Sequence, residues 1–226
     1  MTKRFGFTLA EVLITLGIIG VVAAMTIPTL ISNTNGAQFK TGFKKALSTL
    51  NQAVIMNLAM EDYDFSSLSA DTIDNIEAQK ERTMGFILGK RVQGAAYDEN
   101  YSFGTGHADL KWYVDGTAVT GTPEVNSTNW MVYNFADGTS FGFPITAADC
   151  TERGKATCVG FIDVNGGSTA NPNQVTVCGG STVEGGTGAT KCAVDAAGVK
   201  DIFPVFFYGQ SIEPASDAAR EVLFGK

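Results

Sequence analysis

One acidic residue, Glu11, lies within a run of apolar side chains that extends from residue 7 to residue 31. No other charged residue occurs in that run. A carboxylate near the centre of a bilayer costs roughly 2.5–3.5 kcal/mol, and less near the interface. A plain membrane anchor or a secretory signal peptide gains nothing from such a residue. Glu11 therefore predicts a functional carboxylate that needs a partner.

The run itself has the length of a membrane-spanning helix. Residues 7–31 would extend roughly 37 Å at about 1.5 Å per residue, and a bilayer core is about 30 Å thick. Lys3 and Arg4 precede the run, which favours a cytoplasmic N-terminus. A signal peptide has a shorter apolar region of about 7–15 residues. A simple membrane anchor is the remaining alternative.

The residues around Glu11 resemble a known processing motif. Gly6-Phe7-Thr8-Leu9-Ala10-Glu11 is similar to the prepilin motif of type IV pilins and type II secretion pseudopilins. The resemblance implies that a prepilin peptidase cuts after Gly6 and methylates the new N-terminus at Phe7. It also implies that Glu11 pairs with the terminal amine of a neighbouring subunit, and that the helix loosens or kinks at Gly20 and Pro28.

Physical chemistry supports that pairing independently of the family. Cleavage after Gly6 would expose an ammonium group on Phe7, and Glu11 of another chain could neutralise it. An unpaired charge is expensive in a low-dielectric core, so pairing between chains would set the axial register of a filament. Pro28 has no N–H and disrupts the preceding helical turn, which would give the packed helices some compliance.

Four cysteines lie in the last third of the chain, at positions 150, 158, 178 and 192. Their even number, their spacing across Gly- and Thr-rich segments and the absence of a C-x-x-C pair favour disulfides over a zinc site. Disulfides in turn favour an oxidising compartment. Of the three possible pairings, Cys150–Cys158 with Cys178–Cys192 is the simplest. Residues 178–198 are then expected to form a surface loop closed by a disulfide.

A second possible site lies at the end of the predicted strand 158–164. Asp163, Asn165 and the more distant Asp201 offer the oxygen ligands that calcium prefers, and some pseudopilins bind calcium in a comparable loop. No glutamate closes a twelve-residue EF-hand loop, and Asp-x-Asn-Gly is also an ordinary turn sequence. Calcium is therefore a possible cofactor, with a simple turn as the alternative.

Composition excludes several other functions. The net charge is -7 and no basic patch lies in the body of the chain, so nucleic acid is not an expected partner. The single histidine, His107, rules out histidine clusters and is expected in an exposed loop. No nucleophile elbow, phosphate loop or HExxH motif is present. We expect no enzymatic activity and no catalytic residue, and we expect the aromatic cluster around residues 203–208 to be core.

The remaining sequence predicts the elements that carry these residues. Residues 39–60 have apolar side chains at helical spacing, and the polar residues 32–38 would either fray or continue the helix. A short helix is predicted over 69–82, with Ser69 or Asp71 as its cap and Ile73 and Ile76 facing inward. Hairpins are predicted at 111–119 and between 130–135 and 140–143, and further strands at 158–164, 175–177 and 202–208. Pro204 suggests that the last strand lies at an edge or starts after the proline, and the C-terminal residues from Glu221 are expected to be disordered.

These elements define an α+β fold, in which a long N-terminal helix packs on an antiparallel β-sheet head. The expected organisation is a leader peptide at 1–6, a transmembrane helix at 7–31, an amphipathic continuation at 32–60 and a globular head at 61–226. The head would lie in the periplasm of a bacterium, with the helix crossing the inner membrane once, until assembly moves the subunit into a periplasmic or cell-surface filament.

Two functions fit this organisation. The first is a structural subunit of a type IV pilus, type II secretion or DNA-uptake filament. Its partners would be prepilin peptidase, an inner-membrane assembly platform, the lipid bilayer and other pilin or pseudopilin subunits. The alternative is a minor pilin or membrane-anchored surface protein whose head is a ligand-binding or adhesion module.

Overall fold

The computed structural model describes residues 8–72, 79–101, 113–114, 117–118, 129–166 and 173–225. It contains a long helix, two short helices, a six-stranded sheet and a two-stranded hairpin. The helices are α1 (Leu9–Glu61), α2 (Met84–Arg91) and α3 (Asp217–Phe224). The strands are β1 (Ala96–Tyr97), β2 (Tyr113–Val114), β3 (Thr117–Ala118), β4 (Trp130–Asn134), β5 (Ser140–Pro144), β6 (Val159–Asp163), β7 (Ile202–Tyr208) and β8 (Ser211–Pro214).

Helix α1 is one continuous helix of 53 residues. The polar segment 32–38 continues the helix instead of fraying, so the apolar N-terminal part and the amphipathic part share one axis. The helix ends at Asp62, whose left-handed backbone (φ 56°) lets its N–H donate to the Leu58 carbonyl. One rod therefore connects the exposed apolar segment to the head.

The large sheet has the strand order β1-β4-β5-β6-β7-β8, and every neighbouring pair is antiparallel. The hairpin predicted between residues 130 and 143 is β4–β5, with Val132 opposite Gly142. The predicted hairpin at 111–119 corresponds to β2–β3. The α+β architecture predicted from the sequence is confirmed.

The upper half of α1 covers this sheet. Phe43, Leu47, Leu50 and Val54 of the predicted apolar stripe are buried, and Phe43 stacks on Phe203 of β7 with ring centroids 4.1 Å apart. Burying side chains of this size stabilises the fold by about 1.5–3 kcal/mol each. The stripe thus packs on the protein's own sheet.

A polar contact fixes the same helix to the sheet edge. The Asn51 amide donates to the Ile212 carbonyl of β8 (3.0 Å) and accepts from the Ile212 N–H (2.9 Å). An edge strand has unpaired backbone groups that can recruit another chain. From the helix side, the Asn51 amide pairs with both backbone groups of one edge-strand residue, Ile212.

The predicted position of β7 at an edge is wrong. This strand is internal, pairs with β6 and β8, and contains Pro204 within its length. The Pro204 carbonyl accepts from Ala215, and the N and C=O of one strand residue face the same side. The proline nitrogen therefore faces Ala215, just past Pro214, the last paired residue of β8, so the only bond that it cannot donate lies at the end of the β7–β8 ladder.

Three further local predictions need correction. In the segment 69–82 the described residues 69–72 and 79–82 are not helical, while Ile73 and Ile76 lie outside the described residues. Asp71 instead accepts a hydrogen bond from the Gly85 N–H in the first turn of α2 (3.3 Å). It therefore caps α2 and not a helix that begins at residue 71. Segment 175–177 forms only an isolated bridge between Val175 and Ile202.

The third correction concerns the C-terminus. Residues 217–224 form α3, with Ser216 as N-cap accepting from the Ala219 N–H. Ala218, Ala219 and Val222 of this helix are buried. This apolar face packs under β8 and against α1, which orders a segment whose sequence alone gave no strong periodic signal.

Candidate functional site

The N-terminal end of α1 is closed by a capping box. The Thr8 hydroxyl accepts from the Glu11 N–H (3.3 Å), and Glu11 Oε2 accepts from the Thr8 N–H (2.8 Å) and hydroxyl (2.7 Å). The arrangement satisfies backbone N–H groups that the first helical turn leaves open. Sequence reasoning missed this role, although Thr8-x-x-Glu11 before an apolar run is its recognised signature.

The capping box leaves half of the Glu11 carboxylate available. Both described hydrogen bonds to this side chain use Oε2, and none of the described residues donates to Oε1. The residue is exposed at the helix end. In one chain, Glu11 can therefore cap its own helix through one oxygen and accept an ammonium group of another chain through the other.

The helix segment beyond Glu11 presents apolar side chains outward. Residues 9–31 have no fully buried side chain, and Ile14, Ile19 and Leu30 are each more than half exposed. Among the described helices, α1 is the one long and apolar enough to cross a membrane. This surface needs lipid or other protein helices around it, because water would solvate it poorly.

Gly20 and Pro28 lie within this exposed segment. A Cβ atom placed on Gly20 would meet no atom within 4 Å, so nothing in the single subunit requires a glycine there. Pro28 is accommodated inside the continuous helix, where its missing N–H leaves the carbonyl four residues earlier without its helical donor. The predicted role of both residues in helix flexibility stays a prediction.

The predicted cleavage and methylation site, Gly6 and Phe7, lies outside the described residues. The described chain begins at Thr8, the N-cap of α1. The bond predicted to be cut thus immediately precedes the segment in which the helix starts. Cleavage there would place the new terminus next to the capping box of the helix.

The four cysteines form two disulfides, Cys150–Cys158 and Cys178–Cys192, which is the simplest of the three pairings. The first is buried in the hydrophobic core. The second closes the segment 178–192, here called the disulfide loop. Each crosslink limits the freedom of the unfolded chain.

The disulfide loop is attached to α3 through Glu184. The Glu184 carboxylate accepts from the N–H groups of Asp217 (2.6 Å) and Ala218 (2.9 Å), and Asp217 accepts in return from the Gly185 N–H (2.6 Å). A carboxylate at a helix N-terminus interacts favourably with the helix dipole, while burial raises the pKa of Glu184. The loop is therefore held at its ends and at its middle.

The structure brings the three candidate calcium ligands together. Asp163 Oδ1 accepts from the N–H groups of Asn165 (3.1 Å) and Gly166 (3.0 Å), and its Oδ2 accepts from the Tyr101 hydroxyl (2.8 Å). Burial, with the charge of Asp201 nearby, raises the pKa of Asp163 to about 6.

Asp201 is held in a similar way. Its two carboxylate oxygens accept from the N–H groups of Asn173 (2.6 Å) and Gln174 (2.7 Å), and burial raises its pKa. All four oxygens of Asp163 and Asp201 therefore already have donors. These hydrogen bonds hold two buried turns together, and calcium binding stays a prediction.

A second cluster of possible ligands, in the disulfide loop, does not suit a metal. Across the part of the chain that the structure describes, Cys178, Glu184 and Cys192 are the one group of three His, Cys, Asp or Glu side chains that could share an ion. The two cysteine sulfurs are bonded to each other, so neither is a thiolate.

The aromatic residues around β7 are core, as predicted from the sequence. Phe203, Phe206 and Phe207 are fully buried, and Trp130 is 7% exposed. Trp112 and His107 lie outside the described residues. The cluster at 203–208 therefore gives no flat aromatic surface for a ligand.

Comparison with known proteins identifies the N-terminal segment. Residues 1–27 match the family model of the prokaryotic N-terminal methylation motif, the signal motif of type IV pilins and pseudopilins. No curated protein and no solved structure matches the chain significantly. The motif, together with the long apolar helix followed by an antiparallel sheet, supports a type IV pilin-like protein.

Proposed function

We propose that this protein is a structural subunit, a pilin or pseudopilin, of a type IV pilus or type II secretion filament. The observation that carries the proposal is the exposed apolar segment 9–31 with Glu11 at its start. Prepilin peptidase would cut between Gly6 and Phe7 and methylate Phe7. The mature helix would then leave the inner membrane and pack against the helices of other subunits.

The division of α1 supports this proposal. One face of its upper half is buried against the head, whereas residues 9–31 have no buried side chain within the subunit. A lipid bilayer covers such a surface before assembly, and neighbouring helices cover it afterwards, so transfer between the two environments need not expose it to water. The charge pair between Glu11 and the Phe7 amine would fix the register of each incoming subunit.

The experiment that tests the proposal is deletion of the prepilin peptidase in the native host. Without the enzyme, the chain should keep residues 1–6, stay in the membrane fraction and disappear from sheared surface filaments or periplasmic filaments. A chain that is shortened and assembled normally in the deletion strain would refute the processing route.

The second candidate, an adhesion or ligand-binding head, has one observation in its favour. The disulfide loop is solvent-exposed yet held by a disulfide and by Glu184, and preorganised loops lose less entropy on binding. Val183 of this loop is 54% exposed. Replacing residues 180–190 with a short Gly-Ser linker would separate the two functions, because lost adhesion with normal filament numbers would favour the second.

A further inference from the structure

A cleft lies where the head meets the lower part of α1. It has a volume of about 330 Å³ and is here called the junction cleft. Pro28, Ile31, Ser32 and Asn35 of α1 line one side, and the segment 197–200 lines the other. No part of the proposed assembly mechanism uses this cleft.

Close packing fixes the wall opposite the helix. A Cβ atom on Gly36 would lie 1.7 Å from the Ala196 carbonyl oxygen, so the loop backbone sits directly on the helix at this glycine. Val199 is buried in the core, and the Asp195 carboxylate closes the loop by accepting from the Gly198 N–H (2.6 Å). These contacts fix the position of the loop relative to α1, and they therefore define the shape of the cleft.

The chemistry of the cleft changes along the helix. Pro28 and Ile31 belong to the exposed apolar segment, whereas Ser32 and Asn35 are polar and come one turn higher. Residues 28 and 35 are roughly 10 Å apart along the axis at about 1.5 Å per residue. This distance exceeds the headgroup layer, which is about 6 Å thick on each side of a bilayer, so the lining of the cleft is long enough to reach from the headgroups into the acyl chains.

Lys200 is the charged residue that lines the cleft. Its ammonium group makes no hydrogen bond or ion pair with the described residues, and its side chain is partly buried. The neighbouring Asp201 carboxylate is already held by two backbone N–H groups. The cleft thus combines an apolar lower end, neutral polar groups and one available cation, although the whole chain carries a net charge of -7.

We propose that the junction cleft binds one phospholipid with an anionic headgroup from the outer leaflet of the membrane that α1 spans. Lys200 contacts the phosphate, Ser32 and Asn35 contact the glycerol and ester oxygens, and an acyl chain runs along Pro28 and Ile31. Such a lipid would hold the unassembled subunit upright at the membrane surface. The inference rests on the proposed membrane insertion of residues 7–31.

The test uses the full chain in nanodiscs that contain equal amounts of phosphatidylglycerol and phosphatidylcholine. Native mass spectrometry after controlled removal of bulk lipid would count the lipids that each variant retains. The wild type should retain one phosphatidylglycerol in preference to phosphatidylcholine. Lys200→Gln should lower this preference about five-fold, the effect of one lysine near an anionic surface.

Lys191→Gln is the matched control, because Lys191 is exposed and does not line the cleft. This variant should behave as the wild type, and free inorganic phosphate should not displace the retained lipid. An equal loss in both lysine variants would assign the preference to general charge and overturn the site. So would displacement by phosphate, or no preference in the wild type.

Carbonate extraction of native-host membranes that contain the same chain separates the two proposals. A wild-type chain that extracts with carbonate would refute membrane insertion and therefore the proposed function. A chain that resists extraction but retains no phosphatidylglycerol would refute the lipid site alone. Thermal unfolding of the Lys200→Gln chain, expected to be unchanged, excludes a folding defect as the cause.

Discussion

Three substitutions can separate the two roles assigned to Glu11, which are capping of its own helix and pairing with the N-terminal amine of a neighbouring subunit. Thr8→Ala removes the hydroxyl from the capping box but keeps the carboxylate and its bond to the Thr8 backbone N–H. Glu11→Gln keeps an oxygen that can cap the helix but removes the charge. Glu11→Ala removes both. Filament yield, normalised to the amount of subunit in the membrane, reports the effect of each change.

The expected magnitudes differ widely. Loss of an N-cap side chain costs about 1 kcal/mol, so Thr8→Ala should lower the filament yield by no more than about five-fold. Removing one partner of a buried charge pair costs about 3–5 kcal/mol, which corresponds to a factor of roughly one hundred to several thousand per contact. Both Glu11→Gln and Glu11→Ala should therefore abolish detectable filaments.

The outcome for Glu11→Gln decides the interpretation. If this variant assembles about as well as Thr8→Ala, the carboxylate acts through the helix cap and the pairing with a neighbouring amine is refuted. Helix content measured by circular dichroism in detergent should be nearly the same in all three variants, because the cap affects only the first turn of a 53-residue helix.

Three further predictions concern the head, each measured by thermal unfolding of the full chain in detergent. Gly36→Val should lower the free energy of unfolding by about 1–3 kcal/mol, because its side chain would overlap a loop carbonyl, whereas Gly20→Val should leave the head transition unchanged. The double substitution Cys178→Ser and Cys192→Ser should cost about 3 kcal/mol and open the disulfide loop to protease; unchanged cleavage would contradict the assigned constraint. Burial raises the pKa of Asp71 from 3.8 to about 7, so the folded head holds this proton more tightly than the unfolded chain. The contribution of Asp71 to the free energy of unfolding should be fully present below about pH 4 and be lost as the pH rises through about 7. Asp71→Asn should flatten that decline. A free energy of unfolding that rises over this range with the same slope in both chains would contradict the assignment.

Local patterns in the sequence predicted the main architecture. The apolar run, the helical spacing of Phe43, Leu47 and Leu50, and the turn between residues 135 and 140 each depend on near neighbours in the chain. These patterns can therefore be recognised in the sequence without knowledge of the tertiary structure. The Thr8-x-x-Glu11 signature is equally local and could have been recognised.

The features that escaped prediction depend on distant contacts. Asp71 had the sequence of a cap, but its partner Gly85 lies in another helix. Glu184 caps α3 from more than thirty positions away, and no spacing rule connects the two. An internal strand can contain Pro204 because the pairing of β8 with β7 ends at Pro214. The sequence of β7 does not encode where β8 ends.

The central claim is that this chain is processed and assembled through its N-terminal helix. The most direct test is the intact mass of the protein purified from its native host. The mass should correspond to a chain that begins at Phe7, carries one added methyl group at its N-terminus and retains two disulfides. A mature protein that still contains Met1–Gly6 would contradict the account.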